Sequence, residues 1–203
     1  MIKLLFFVGI LLPHIGASAE PVVLVLGDSL SAGFGLAQDQ GWVRLLQDRL
    51  SERGYPQRTL NASVSGDTTG GGLTRLPRLL ARNQPEILII ELGANDGLRG
   101  HGLEQVRANL AEMIRLGRQA GAKILLVGVR LPPNYGAAYI ERFQALYQGL
   151  AQEFEIPLIP RLLAGVAEHR HLMQPDGLHP TAEAQPRLLD NVWPNLEQLL
   201  RRD

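Results

Sequence analysis

The stretch VLVLGDSLSAGFG at residues 23–35 decides the architecture of this chain. An aliphatic run that predicts a buried strand ends at Gly27, and Asp28, Ser29 and two further glycines follow. A continuous apolar run of this kind is typical of a parallel strand that is covered on both faces. A small hydroxyl side chain therefore stands where the backbone leaves the core, at the edge where parallel sheets usually bind ligands.

The same strand-then-helix pattern repeats along the chain. Predicted strands alternate with stretches whose apolar residues recur at helical spacing, including a helix over residues 73–82 and a last one from about 181 to 201. Crossovers between parallel strands place helices on both faces of a sheet, so the pattern predicts one α/β domain, a three-layer α/β/α sandwich. The predicted strands are residues 22–26, 58–62, 87–92, 123–129 and 156–159.

The N-terminal residues 1–19 predict a secretory signal peptide. Lys3 precedes an apolar run, and Ala17-Ser18-Ala19 supplies a cleavage site. The run is shorter than the roughly 20 residues that span a bilayer, and Pro13 interrupts it, so cleavage is favoured over an uncleaved anchor. We therefore expect a single domain at residues 20–203, located in the periplasm or secreted.

Composition excludes several kinds of chemistry. Twenty basic and twenty acidic residues balance, which gives no electrostatic case for nucleic acid or an anionic membrane. The chain has no cysteine, so thiol nucleophiles and thiolate metal ligands are excluded. His169 and His171 lack the accompanying carboxylates of a metal motif. We expect no metal or cofactor, a small-molecule partner, and a monomer.

Four polar, glycine-rich blocks follow the predicted strands. They are GDSL at 27–30, SVSGD at 63–67, GANDG at 93–97 and DGLHP at 176–180. Because the carboxyl ends of parallel strands meet at one edge, we expect these blocks to lie together. Taken singly, each block is an ordinary turn or helix cap, and only their combination indicates a site.

The combined blocks supply the groups that acyl transfer requires. Ser29 is the candidate nucleophile, His179 the base that activates it, and Asp176 the acid that orients the imidazole. Candidate oxyanion donors are the Ser29 and Gly66 backbone N–H groups and the Asn95 side-chain amide. The G-x-S-x-G elbow of α/β-hydrolases is absent here.

These blocks, in this order, resemble the SGNH (GDSL) hydrolase superfamily. From about Val22 to Leu199 the chain is similar to its exported bacterial thioesterase, lysophospholipase and arylesterase group. The resemblance implies a flavodoxin-like, five-stranded parallel sheet of order 2-1-3-4-5 and a serine esterase that cleaves acyl esters and thioesters through an acyl-enzyme. It also implies a triad of Ser29, Asp176 and His179, with Gly66 and Asn95 in the oxyanion hole.

Two segments are candidate walls of an acyl pocket. Leu131, Pro132 and Tyr135 follow the fourth predicted strand, and Leu76 and Pro77 follow the glycine run at 70–72. The alternative for the first segment is a rigid connector. Two other functions also remain open, a carbohydrate O-deacetylase and a non-catalytic lipid- or carbohydrate-binding module.

Overall fold

The computed structural model describes residues 20–201. The predicted signal peptide lies outside the described residues. Strands and helices alternate through the described chain as the sequence predicts. In chain order they are β1 Val22–Gly27, α1 Ser29–Ala32, α2 Trp42–Glu52, β2 Arg58–Asn61, α3 Thr69–Asn83, β3 Ile87–Glu91, α4 Ala94–Leu98, α5 Leu103–Gln119, β4 Lys123–Val127, α6 Ala137–Glu153, β5 Leu158–Ile159 and α7 Gln185–Leu200.

The five strands form one parallel sheet in the order β2-β1-β3-β4-β5. This confirms both the α/β/α class and the strand order. The first strand, β1, lies between β2 and β3, and its last residue, Gly27, pairs with Glu91 at the end of β3. The turns that follow these three strands therefore meet at one edge of the sheet.

Helices cover both faces of the sheet. Helix α2 packs against α7, whereas α3 packs against α5 and α5 packs against α6. The central strands β1 and β3 are buried along their whole length, which explains their continuous aliphatic sequences. Burial on both faces makes the sheet a rigid support for the turns at its carboxyl edge.

Helix α3 begins earlier than the sequence predicts. It starts at Thr69 rather than at residue 73, so the glycine run lies inside its first turn and not before it. The side chain of Thr68 accepts a hydrogen bond from the Gly71 N–H and caps the helix. A side chain at Gly72 would collide with Leu92, so the glycine lets α3 pack closely against the sheet.

The chain end also differs in detail from the prediction. A 3₁₀ turn at Ala182–Ala184 precedes α7, which begins at Gln185 rather than near residue 181. The last strand, β5, is only two residues long, Leu158–Ile159. Among the helices of residues 20–201, none has the length and apolarity required to cross a membrane.

Candidate active site

Ser29 is the first residue of the short helix α1, directly beyond the buried strand β1. The Asp28 side chain caps this helix by accepting the Leu30 N–H at 3.0 Å. Gly33, with φ of 76°, ends the helix after one turn. Since the first N–H groups of a helix have no intrahelical acceptor, the Ser29 N–H can donate to a ligand.

Ser29, His179 and Asp176 form a continuous hydrogen-bonded chain. His179 Nε2 lies 2.8 Å from Ser29 Oγ, and His179 Nδ1 lies 2.7 Å from Asp176 Oδ2. Asp176 Oδ1 accepts the backbone N–H groups of Leu178 and His179, which fixes the carboxylate within the tight loop. The geometry matches a nucleophile, a base and an orienting acid, in that order.

The electrostatics of Asp176 suit an acid that stays ionised. Partial desolvation raises the pKa of Asp176, but hydrogen bonds from the His179 side chain and from two backbone N–H groups outweigh it and hold the pKa at about 2. The carboxylate is therefore charged throughout the neutral range. A charged acceptor at Nδ1 keeps the proton on that nitrogen, so Nε2 is left free to take the proton of Ser29.

Asn95 lies in α4, immediately beyond the left-handed Gly93 at the end of β3. Its Nδ2 donates to Asp28 Oδ2 at 3.2 Å, and its side chain borders the same cavity as Ser29 and His179. An amide has two N–H donors, so the second is available to an oxyanion.

Gly66 lies in the loop between β2 and α3, with φ of 79°. Its carbonyl accepts a hydrogen bond from Arg99 Nη2 at 3.0 Å. Two residues earlier, the Val64 N–H donates to the Gly27 carbonyl at 3.0 Å, which attaches the loop to the end of β1. The loop that carries Gly66 is therefore held beside the turn that carries Ser29.

The carboxyl groups of Asp28 and Glu91 are buried at the turn that carries Ser29, called here the nucleophile turn. Glu91 Oε2 accepts from Ser31 Oγ at 2.7 Å and from the Asp28 N–H at 3.3 Å. Burial raises the pKa of Asp28 to about 6. Burial, with the nearby Asp28 charge, raises the pKa of Glu91 well above its usual range. The sequence analysis assigned Glu91 no role.

A third buried acid joins α3 to α4. Asp96 accepts from both the backbone N–H and the hydroxyl of Thr69, each at 2.8 Å. The Tyr147 hydroxyl donates to the Leu92 carbonyl at 2.8 Å, next to Gly93. These bonds fix the segment around Asn95 from both of its sides.

A cavity of about 370 Å³ opens beside the triad. Ser29, Asn95 and His179 line it, together with mostly apolar residues. The cavity is large enough for an acyl chain, and its mostly apolar lining can bury the methylene groups of such a chain. The other lining residues are Asp28, Leu30, Ala94, Leu98, Val129, Arg130, Leu131, Pro132, Pro133, Leu163, Ala167, Glu168, Met173, Gly177 and Leu178.

The predicted pocket residues divide into three groups. Leu131 and Pro132 border the cavity. Tyr135 does not border it but supports its wall, because its hydroxyl donates to the Leu98 carbonyl at 2.9 Å. The structure places Leu76 and Pro77 elsewhere: Leu76 is fully buried in the core and Pro77 is exposed on α3. Leu76 shares the buried stripe of α3 with Gly72 and Leu80, so its side chain faces the core rather than the cavity.

Three exposed apolar side chains, called here the apolar rim, lie on the loops that carry Ser29, Gly66 and His179: Phe34, Val64 and Leu178. These are the large hydrophobic side chains that are exposed in the described part of the chain, at 48%, 50% and 39%. The Phe34 ring lies 4.4 Å from the His179 ring, centroid to centroid. The Gln174 amide donates to the Phe34 carbonyl at 2.8 Å and connects this rim to the loop of His179.

Sequence reasoning missed Glu91, Phe34, and the cavity residues Leu163, Ala167 and Met173. A charged residue at the end of an aliphatic strand, two positions before GANDG, was the available signal for Glu91. The others lie in irregular segments, where no periodicity indicates orientation. Within residues 20–201, no group of three or more histidine, aspartate or glutamate side chains could hold a metal ion.

Comparisons with known proteins agree with this geometry. The model of the GDSL-like Lipase/Acylhydrolase family matches residues 25–186. The chain is 53% identical to Esterase TesA of Pseudomonas aeruginosa over 90% of this chain and 91% of that one. It is 42% identical to Thioesterase 1/protease 1/lysophospholipase L1 of Escherichia coli K12, over 92% of this chain and 88% of that one.

Solved structures give the same result. A crystal structure of TesA superposes with a TM-score of 0.86 at 53% identity and covers 88% of this chain and 99% of that one. A structure of the psychrotrophic esterase EstA from Pseudoalteromonas, inhibited by monoethylphosphonate, superposes with a TM-score of 0.85 at 38% identity. It covers 89% of this chain and 99% of that one.

Proposed function

This chain belongs to the GDSL-like lipase/acylhydrolase family, and on that premise we propose that Ser29, His179 and Asp176 are its catalytic triad. The protein is a serine esterase that hydrolyses acyl esters and thioesters. The observation that carries the triad assignment is the hydrogen-bonded chain from Asp176 through His179 to Ser29 Oγ.

The first half of the reaction acylates Ser29. Its hydroxyl proton passes to His179 Nε2 as Oγ bonds to the substrate carbonyl carbon, and the carbonyl electron pair moves to oxygen. We assign stabilisation of this oxyanion to the Ser29 and Gly66 N–H groups and the Asn95 amide. When the carbonyl re-forms, the bond to the leaving oxygen or sulfur breaks, and the leaving group takes the proton from His179.

The second half releases the acyl group. Water gives a proton to His179 Nε2 as it attacks the acyl carbon, and the new oxyanion occupies the same donors. Collapse of this intermediate breaks the bond to Ser29, whose oxygen recovers the proton from His179. The carboxylic acid product then leaves, and Asp176 remains ionised throughout because it balances the imidazolium.

The acyl chain of the substrate occupies the cavity beside the triad. Its walls include Leu131, Pro132 and Leu163, and about 370 Å³ is enough for a medium acyl chain. This apolar lining favours lipid-like acyl groups over a carbohydrate O-deacetylase, whose substrate would present hydroxyl groups to unsuitable walls. Substrates of this class include aryl esters, lysophospholipids and acyl thioesters.

We propose that the protein acts after export, in the periplasm or outside the cell. Lys3, the apolar run that follows it and Ala17-Ser18-Ala19 support a signal that is cleaved after Ala19. N-terminal sequencing of the exported chain tests this, with Glu20 as the expected first residue. A first residue at Met1 would contradict it.

A substrate panel tests the proposed activity. Esters, thioesters and lysophospholipids that share one acyl chain are compared, with Ser29→Ala as the matched control. The proposal requires hydrolysis by the wild type and at least about a 10³-fold loss in Ser29→Ala. Equal rates in the two proteins would overturn the assignment of Ser29.

A further inference from the structure

We infer that Glu91 is a positioning residue for the reaction: through the Asp28 N–H and the Ser31 hydroxyl, its carboxyl group holds the turn that presents Ser29. The inference rests on the proposed function, because it takes Ser29 as the nucleophile. It adds a residue at the end of β3, whereas Ser29 begins α1 and both Asp176 and His179 lie in the loop before α7.

The sheet register brings Glu91 to this turn. Glu91 is the last residue of β3 and pairs with Gly27, the last residue of β1. Its side chain is 1% exposed, and Oε2 accepts from Asp28 N at 3.3 Å and from Ser31 Oγ at 2.7 Å. Since Asp28 precedes Ser29 and Ser31 follows it by two, the one oxygen holds the turn on both sides of the nucleophile.

Close packing shows that this contact is specific. A Cβ atom on Gly27 would lie 2.8 Å from Glu91 Oε2 and 2.7 Å from Ser31 Cβ, so any other residue at position 27 would force Glu91 or Ser31 to shift. The glycine of the GDSL block thus makes room for the carboxyl group. Gly27, Ser31 and Glu91 therefore pack in direct contact with one another beside Ser29.

Glu91 is also connected, through Asp28, to the proposed oxyanion donor Asn95. Asp28, whose N–H is held by Glu91, accepts the Asn95 amide at 3.2 Å through its own carboxyl group. A shift of Asp28 would therefore move Ser29 and release Asn95 together. Misplacement of about 1 Å in a catalytic group can cost about 100-fold in rate.

A general contribution to folding does not account for a glutamate here. Among the ion pairs formed by residues 20–201, none includes Glu91. Burying an acid without a cation is costly, and an apolar residue would fill the space at the end of β3 more favourably. What the carboxyl group supplies is an acceptor for two donors that flank the nucleophile.

The test compares Glu91→Ala and Glu91→Gln with wild type, after circular dichroism has confirmed that each is folded. We expect Glu91→Ala to lower kcat by about 10- to 100-fold while KM stays within about twofold. Glu91→Gln keeps an acceptor oxygen and should restore kcat to within about threefold of wild type. Labelling of Ser29 by a fluorophosphonate should slow in parallel with kcat.

Glu86→Gln is the matched control. Glu86 precedes β3 at the opposite end of the strand and bonds to Gln57 and Lys123, far along the sheet from Ser29. It should keep wild-type kcat. If Glu91→Ala does not fold, Ser31→Ala decides the matter, since it removes the 2.7 Å bond alone and should lower kcat at unchanged KM.

Two results would overturn the inference. One is a wild-type kcat in folded Glu91→Ala or, if that variant does not fold, in Ser31→Ala. The other is a Glu91→Gln variant as slow as Glu91→Ala. A wild type that neither hydrolyses esters nor reacts with the fluorophosphonate would instead refute the proposed function itself, so the two failures are distinguishable.

Discussion

His179 Nε2 lies 2.8 Å from Ser29 Oγ, although 150 positions of sequence separate the two residues. The contact exists because β1 delivers Ser29 to the carboxyl edge of the sheet and the loop before α7 returns His179 to the same edge. Asp176 stands three residues before His179 in that loop. His179 and Asp176 therefore reach the edge of the sheet together, and only Ser29 has to be brought to them.

The carboxylate of Asp176 should matter through charge rather than shape. Asp176→Asn preserves size and one acceptor oxygen but cannot stabilise the imidazolium, so kcat should fall by about 10²- to 10⁴-fold. Steady-state kinetics on a short-chain aryl ester measures this. Retention of more than about a third of wild-type kcat would show that His179 works without its acid.

The Asn95 amide should act on the transition state. Removal of one oxyanion donor usually costs about 10²- to 10³-fold in kcat, with little change in KM. Asn95→Ala should show this pattern. Asn83→Ala is the matched control, because Asn83 donates only to the Leu79 carbonyl at the end of α3 and should leave kcat unchanged. A rise in KM without a fall in kcat would contradict the assignment.

Asp28 should make the protein less stable as pH rises from about 4 to 6. Its folded pKa is about 6 against an ordinary value of 3.8, so in this window the folded state holds a proton that the unfolded state has lost. The unfolding free energy then falls with pH, by up to about 1.4 kcal/mol per pH unit.

Urea unfolding at several pH values tests this expectation. Asp28→Asn keeps an oxygen to cap the Leu30 N–H but cannot titrate, so the decline between pH 4 and 6 should become shallower. The raised pKa of Glu91 acts in the same direction and leaves a residual slope. An unchanged slope in Asp28→Asn would show that Asp28 does not carry the raised pKa.

The fold was predictable because its signals are local and repeated. Aliphatic runs mark β1 and β3, and helical spacing marks the segments between them. The start of α3 was not predictable in this way, since three glycines have poor helix propensity and the cap at Thr68 compensates only in the folded chain.

The site was predictable where a motif carries it and unpredictable where contacts cross the sheet. Ser29, Asn95 and His179 lie in recognisable blocks. Glu91 reaches the nucleophile turn only because β3 lies beside β1, and its burial cannot be read from the strand sequence alone. Phe34 contacts His179 through a loop with no periodic pattern.

Acyl-chain length should be limited by the space between the walls of the cavity. Ala167 borders the cavity and its side chain is exposed, so a larger residue there can narrow the space without disturbing the core. Ala167→Phe should lower kcat/KM for long-chain esters by about tenfold, since a few lost methylene contacts are worth about 1.4 kcal/mol. Acetyl esters serve as the internal control and should be unaffected. An equal loss for both chain lengths would place the acyl group elsewhere.

The most direct test of the triad is covalent labelling by a fluorophosphonate, followed by peptide mapping. The wild type should be modified at Ser29 alone, Ser29→Ala should remain unlabelled, and folded His179→Ala should react at least about 100-fold more slowly, since the hydroxyl then lacks its base. Modification of another serine, or an undiminished rate in His179→Ala, would contradict the account.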